Sequence, residues 1–152
     1  MKKLTLLFLL LGFSEFIIAQ ENALFSVTFN HVALSVKDVN RSAEFYKKTL
    51  NFEEITNRSK KEGRRWLSLG EGKELHLIAA TNLNERVVDN NKVHFALTAL
   101  GFDYFIKKLE SMNIKYFDWQ GIPNKIKIRA DGVKQIYFQD PDGYWIEVNS
   151  DI

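Results

Sequence analysis

The chain has 152 residues, no cysteine and a formal net charge of +2, and 45% of its residues are hydrophobic. A chain this close to neutrality carries no electrostatic argument for nucleic acid or an acidic membrane as partner. Without cysteine it has neither disulfides nor a thiol nucleophile, so its stability rests on the core and any metal must be held by nitrogen and oxygen.

The first segment stands apart from the fold. Lys2 and Lys3 form a basic start, Leu4 to Phe13 an apolar run, and Ile17-Ile18-Ala19 ends on a small residue suited to cleavage before Gln20. Residues 1–19 therefore read as a secretory signal, and the protein is expected to be exported, periplasmic or secreted. Glu15 interrupts the hydrophobic run, which argues against a permanent membrane span of about 20 apolar residues. Residues 20–152 remain as one domain of ordinary size.

That domain is a repeat. "NHVALSV" at Asn30–Val36 matches "VHFALTA" at Val93–Ala99 with an offset of 63, which superposes His31 on His94. Each copy is followed by an amphipathic helix, with Val39, Ala43, Tyr46 and Leu50 along one stripe of the first and Phe102, Phe105, Ile106 and Leu109 along one stripe of the second. Both helices are expected to stop at an asparagine, Asn51 and Asn113, because asparagine tolerates the left-handed conformation that ends a helix. Further on, "GKELHL" overlies "GYWIEV" at an offset of 71, so that Gly72 meets Gly143 and His76 meets Glu147. The change of offset assigns eight extra residues to the second copy, around "QGIPNKIKIRADG".

Each copy thus reads strand, helix and three strands, with module one at about residues 27–80 and module two at about 93–150. A polar linker at about 80–92, rich in asparagine, joins them. The expected fold class is α+β: two paired βαβββ modules forming a cupped, mostly antiparallel sheet with helices outside. The turn "QDPDGY" fits a type I turn with a glycine bulge, which places Tyr137 across from Glu147.

Side chains alternate faces along a strand, so parity says which residues point together. Val32, Leu34 and Val36 oppose His31, Ala33 and Ser35; Phe95 and Leu97 oppose His94; Leu75 and Leu77 oppose Glu74, His76 and Ile78; Ile146 and Val148 oppose Trp145, Glu147 and Asn149. His31, His76, His94 and Glu147 are therefore expected together on the concave side. A single histidine there would read as a hydrogen-bonded core residue. Four such residues at repeat-related positions instead point to a divalent metal, and imidazole with carboxylate suits zinc, nickel, iron or manganese. Arg64 and Trp66 should lie beside His76, and Tyr137 and Trp145 beside Glu147, giving a small-molecule substrate an aromatic floor and one cation.

"HVALSVKDVNRSAEFYKKTLNF", the internal "VHFAL" and the terminal "YFQDPDGYWIEV" resemble the vicinal oxygen chelate superfamily, which includes glyoxalase I, fosfomycin- and bleomycin-resistance proteins and extradiol dioxygenases. The resemblance implies the paired βαβββ architecture and metal ligands at His31, His94 and Glu147. His76 occupies a fourth position, which glyoxalase I fills with glutamate or glutamine and fosfomycin-resistance proteins do not use as a ligand. With His76 bound, two adjacent octahedral positions stay open; without it, two histidines and a carboxylate resemble the facial triad of non-haem iron oxygenases, with three open. The expected activity is that of a glyoxalase-type lyase or isomerase acting on a small substrate chelated through adjacent oxygens, with Glu147 as base. The alternatives are a non-haem iron dioxygenase and a small-molecule binding or resistance protein without catalysis. Anion binding would draw on Arg64, Arg129 and Lys134. Whether the modules pair within one chain or swap between the two copies of a homodimer stays open.

Overall fold

The computed structural model describes residues 25–80 and 91–151. The signal-like segment and most of the linker lie outside these residues. Module one runs β1 (His31–Val36), α1 (Val39–Leu50), β2 (Glu53–Ile55), β3 (Arg64–Gly70) and β4 (Lys73–Ala79). Module two runs β5 (His94–Ala99), α2 (Phe102–Ser111), β6 (Tyr116–Phe117), β7 (Lys127–Ile128), β8 (Lys134–Gln139) and β9 (Trp145–Ser150). Each module is the expected βαβββ unit, and β7 is a two-residue addition paired with β8. Residues 118–133 separate β6 from β8 where residues 56–63 separate β2 from β3, a difference of eight that accounts for the change of offset.

The strand orders are β1-β4-β3-β2 and β5-β9-β8-β6, so in both sheets the first strand lies parallel to the last and the remaining pairs are antiparallel. The registers repeat as well. His31 lies across from Glu74 in one parallel ladder and His94 across from Trp145 in the other, which are positions related by the two sequence offsets.

Local signals explain the helix limits. Asp38 caps α1 by accepting hydrogen bonds from the backbone of Asn40 and Arg41 at 2.8 and 3.1 Å. Asn51 follows α1 at φ 58°, in the left-handed region. Asn113, at φ 54°, closes α2 with two bonds, its own N–H on the Glu110 carbonyl and the Ile114 N–H on the Leu109 carbonyl. Ala43, Tyr46, Phe102, Ile106 and Leu109 from the anticipated stripes are buried, while Val39, Leu50 and Phe105 pack at the margin.

One apolar core serves both modules, built from Leu34, Val36, Leu75 and Leu77 of the first sheet and Ile136, Phe138, Ile146 and Val148 of the second. Phe138 touches both helices, with ring centroids 6.4 Å from Phe45 and 6.0 Å from Phe105. The β8–β9 turn docks on module one through buried polar bonds. Tyr46 donates to Asp140 at 2.8 Å, Ser42 to Asp142 at 2.8 Å, and the Lys37 backbone to Asp142 at 3.0 Å. The core therefore lies on the helix-bearing faces of both sheets. The faces that carry the three histidines and Glu147 turn the other way.

Candidate metal centre

In module two, His94 leaves β5 and Glu147 leaves β9 on the same face, with Tyr137 of β8 directly across from Glu147. His94 Nδ1 is 2.6 Å from the carbonyl oxygen of Asn91. A carbonyl only accepts, so Nδ1 carries the proton and the ring's other nitrogen presents a lone pair. That nitrogen, Nε2, stands 3.0 Å from Glu147 Oε2. Two acceptors at this separation require something positive between them: a second proton on the ring or a cation. For ligands about 2.1 Å from one ion, adjacent octahedral positions lie about 3 Å apart, so the pair fits a divalent metal.

Glu147 is held on every side. Tyr137 donates its hydroxyl to Oε2, and Asn149 Nδ2 donates to Oε1 at 2.7 Å. Gln135 steadies Asn149 at 3.1 Å. Burial pushes the Glu147 carboxyl up, but hydrogen bonds from the Tyr137 hydroxyl and then the Asn149 amide lead the interactions that outweigh it and hold the group below its ordinary value. Burial and the adjacent carboxylate push the Tyr137 hydroxyl well above its ordinary value.

The remaining two histidines stand on module one. His31 is exposed, with Nδ1 2.7 Å from Asn30 Oδ1. The amide oxygen accepts, so Nδ1 again carries the proton and Nε2 is left as a donor to a metal. His31 stacks on His76, His76 stacks on Trp66 at a centroid distance of 3.9 Å, and the Arg58 guanidinium lies 4.9 Å from the centre of the Trp66 ring. Glu74 binds both Arg58, at 2.6 Å, and His76 Nε2, at 2.7 Å. These two bonds, His76 first, hold the Glu74 carboxyl below its ordinary value.

The structure thus places all four anticipated ligands on the expected faces and sorts them into two pairs, His31 with His76 and His94 with Glu147. Among the described residues no three histidine, aspartate or glutamate side chains lie close enough to hold one metal ion. Trp66 and Tyr137 sit where parity puts them, one against His76 and one on Glu147. Trp145 packs edge-on to Phe117 at 5.7 Å, with its indole N–H buried and without a hydrogen-bond partner among the described residues. Arg64 lies across from Ile78 and makes no ion pair among the described residues. The other two cations considered for an anion are each engaged, Arg129 with Asp131 at 2.6 Å and Lys134 with Asp103 at 2.7 Å. Sequence reasoning passed over Glu74 as a site residue although it shares the parity of His76, and it had no signal for Arg58, which sits between β2 and β3.

A family profile described as the Glyoxalase/Bleomycin resistance protein/Dioxygenase superfamily matches residues 28–148. Glyoxylase I 4 of Arabidopsis thaliana is 33% identical over 135 residues, covering 84% of this chain and 72% of that protein. Metallothiol transferase FosB of Staphylococcus epidermidis is 28% identical over 127 residues, covering 80% of each. The crystal structure of the fosfomycin resistance protein FosX from Listeria monocytogenes superposes with a TM-score of 0.64 at 21% identity, over 84% of this chain and 96% of that one.

Proposed function

For a chain that belongs to the Glyoxalase/Bleomycin resistance protein/Dioxygenase superfamily, we propose an exported, metal-dependent lyase or isomerase of glyoxalase type acting on a small molecule. The observation that carries this reading is the His94–Glu147 pair: a lone pair and a carboxylate oxygen 3.0 Å apart, each fixed by a second hydrogen bond. Such outer partners set the tautomer and orientation of metal ligands. His31 is the third ligand. Two copies of the chain complete the centre, each lending His31 to the other's His94 and Glu147. Phe25, Val27 and Phe29 support this pairing: they lie just before His31 and are 79%, 86% and 59% exposed, apolar surface suited to burial against a second copy.

A divalent ion bound there supplies Lewis acidity to two neighbouring oxygens of the substrate. The chain's own residues do the rest. Glu147 is the carboxylate assigned to accept a proton from the substrate carbon, and to do so one oxygen must exchange its present partner, Tyr137 or Asn149, for the substrate. Tyr137 and Asn149 keep it aimed, and the partly exposed Trp145 is the aromatic left to wall the rest of the substrate. Export rests on the signal-like pattern of residues 1–19, and the mass of the mature N-terminus tests it.

The reading as a whole is tested by elemental analysis of the purified mature protein beside His31→Ala, His94→Ala and Glu147→Ala. Stoichiometric divalent metal in the wild type and its loss in all three variants is the expected result. Wild-type protein that retains no zinc, nickel, iron or manganese after loading and dialysis would sink it.

One observation favours a second reading, an iron-dependent oxygenase. His76 is committed to Glu74, which leaves two histidines and one carboxylate as the donor set. Iron retained on purification, with oxygen uptake on an aromatic diol, would select this reading over the first.

A further inference from the structure

We infer that His76 is a positioning residue for His31 and not a fourth ligand; the inference rests on the metal-centre reading above and decides how many positions that centre leaves to substrate. The His31 and His76 rings are stacked, with centroids 4.2 Å apart and planes 17° from parallel. An imidazole nitrogen binds a metal through a lone pair that lies in the ring plane. Planes so inclined and so separated meet only more than about 10 Å from the rings, whereas a metal–imidazole bond is about 2.1 Å long. An ion on His31 therefore lies outside the plane of His76, and this holds for either nitrogen of either ring. While the stack stands, the two histidines cannot share a metal.

The stack is built to stand. Trp66 covers His76 with its plane only 7° from parallel. Glu74 takes His76 on one oxygen and Arg58 on the other, and Arg58 in turn lies over Trp66. Swinging His76 toward an ion would break a bond to a carboxylate and two ring stacks. His31 has much less holding it. It is exposed, its one side-chain hydrogen bond among the described residues is to Asn30, and the face of His76 is what fixes its ring plane. The centre therefore has three protein ligands, and three octahedral positions remain for substrate oxygens and water.

The test is a Co(II) titration of the mature wild-type protein and its variants, followed by visible absorption. His76→Phe keeps a flat ring on His31 but has no donor atom, and Glu74 keeps Arg58. It should leave the band positions unchanged and the affinity within about threefold, whereas His76→Ala, which removes the stack, should weaken binding about 10-fold or more with the same bands. His31→Ala should lose binding far more severely. Shifted bands in His76→Phe, or a loss matching that of His31→Ala, would make His76 a ligand and overturn the inference. Pulsed electron paramagnetic resonance of the Cu(II)-loaded wild type counts bound imidazoles without any variant. Two support the inference and three refute it. Failure of the metal-centre reading shows differently: a wild type that takes up no Co(II), or His31→Ala, His94→Ala and Glu147→Ala variants that bind as it does, removes that reading and this inference with it.

Discussion

Glu147 is the residue on which the site turns. It is 7% exposed, and a carboxylate at that depth needs its charge met. Tyr137 and Asn149 donate to it, and their hydrogen bonds lead the interactions that hold it ionised against its burial. Tyr137→Phe removes the donor on Oε2 and nothing else of that size, so metal-free protein at pH 7 should lose about 1.5–3 kcal/mol, the range for a hydrogen bond to a charged group. The sign of the pH effect follows from the lowered folded-state value. The stabilisation is present above the unfolded carboxyl's range and is lost as pH falls through the folded one, so the difference between wild type and variant should shrink on acidification. Urea melts at several pH values measure both, and a loss below about 0.5 kcal/mol at pH 7 would mean that the carboxylate is solvated after all. The place of this residue was legible in the sequence, since the alternation of β9 sets it opposite Ile146 and Val148 and the repeat superposes it on His76. Its partners were legible only in part. Parity put Tyr137 and Asn149 on the same face, but Asn91, which sets the His94 tautomer through its backbone, is three residues upstream in a turn that has no period to read.

Among the elements, strands and helices were the most legible because each is fixed by local chemistry. Stripes at helical spacing became buried faces, Asn51 and Asn113 became left-handed helix stops, and "QDPDGY" became the anticipated hairpin. In that hairpin the Gly143 N–H reaches the Asp140 carbonyl at 3.0 Å, with Gly143 at φ 89°. What local chemistry could not say is that the same turn locks the two modules together, since Tyr46 and Ser42 lie about 100 residues away on α1. Asp140 is the strained member. Burial pushes its carboxyl up, the Tyr46 hydroxyl and the backbone N–H groups of Tyr144 and Asp142 pull it down, Asp142 repels it, and the net result is above the ordinary value. A raised carboxyl favours the folded state more when protonated, so this residue's contribution improves as pH falls from above its folded value toward its unfolded one. Asp140→Asn cannot titrate. The stability of the wild type relative to Asp140→Asn should therefore rise between pH 7 and pH 4, followed by chemical denaturation at each pH. A wild-type stability that stays constant or falls relative to the variant between pH 7 and pH 4 would show that Asp140 is not the buried, raised group its contacts make it.

At the scale of the whole molecule, the histidines and Glu147 fall into two separate pairs because the modules share a core through their helix-bearing faces. A repeat in the sequence specifies two similar modules but not which of their faces meet, and that choice rests on long-range contacts such as those of Asp140 and Asp142 with α1. Given it, completion by a second copy has a consequence that single variants cannot show. On the proposed two-copy centre, His31→Ala removes the ligand that a chain would lend, and Glu147→Ala removes one that it would keep. Each variant alone spoils every site. In a mixed dimer the Glu147→Ala chain lends its intact His31 to the intact His94 and Glu147 of the other, while the reciprocal site lacks both. Unfolding the two variants together at equal concentration and refolding them should give half mixed dimers with one site each, restoring about a quarter of the wild-type metal per chain. Elemental analysis after dialysis reads this directly. Metal no higher than in either variant alone would mean that the ligands belong to one chain, and that the two half-sites close on each other without a partner.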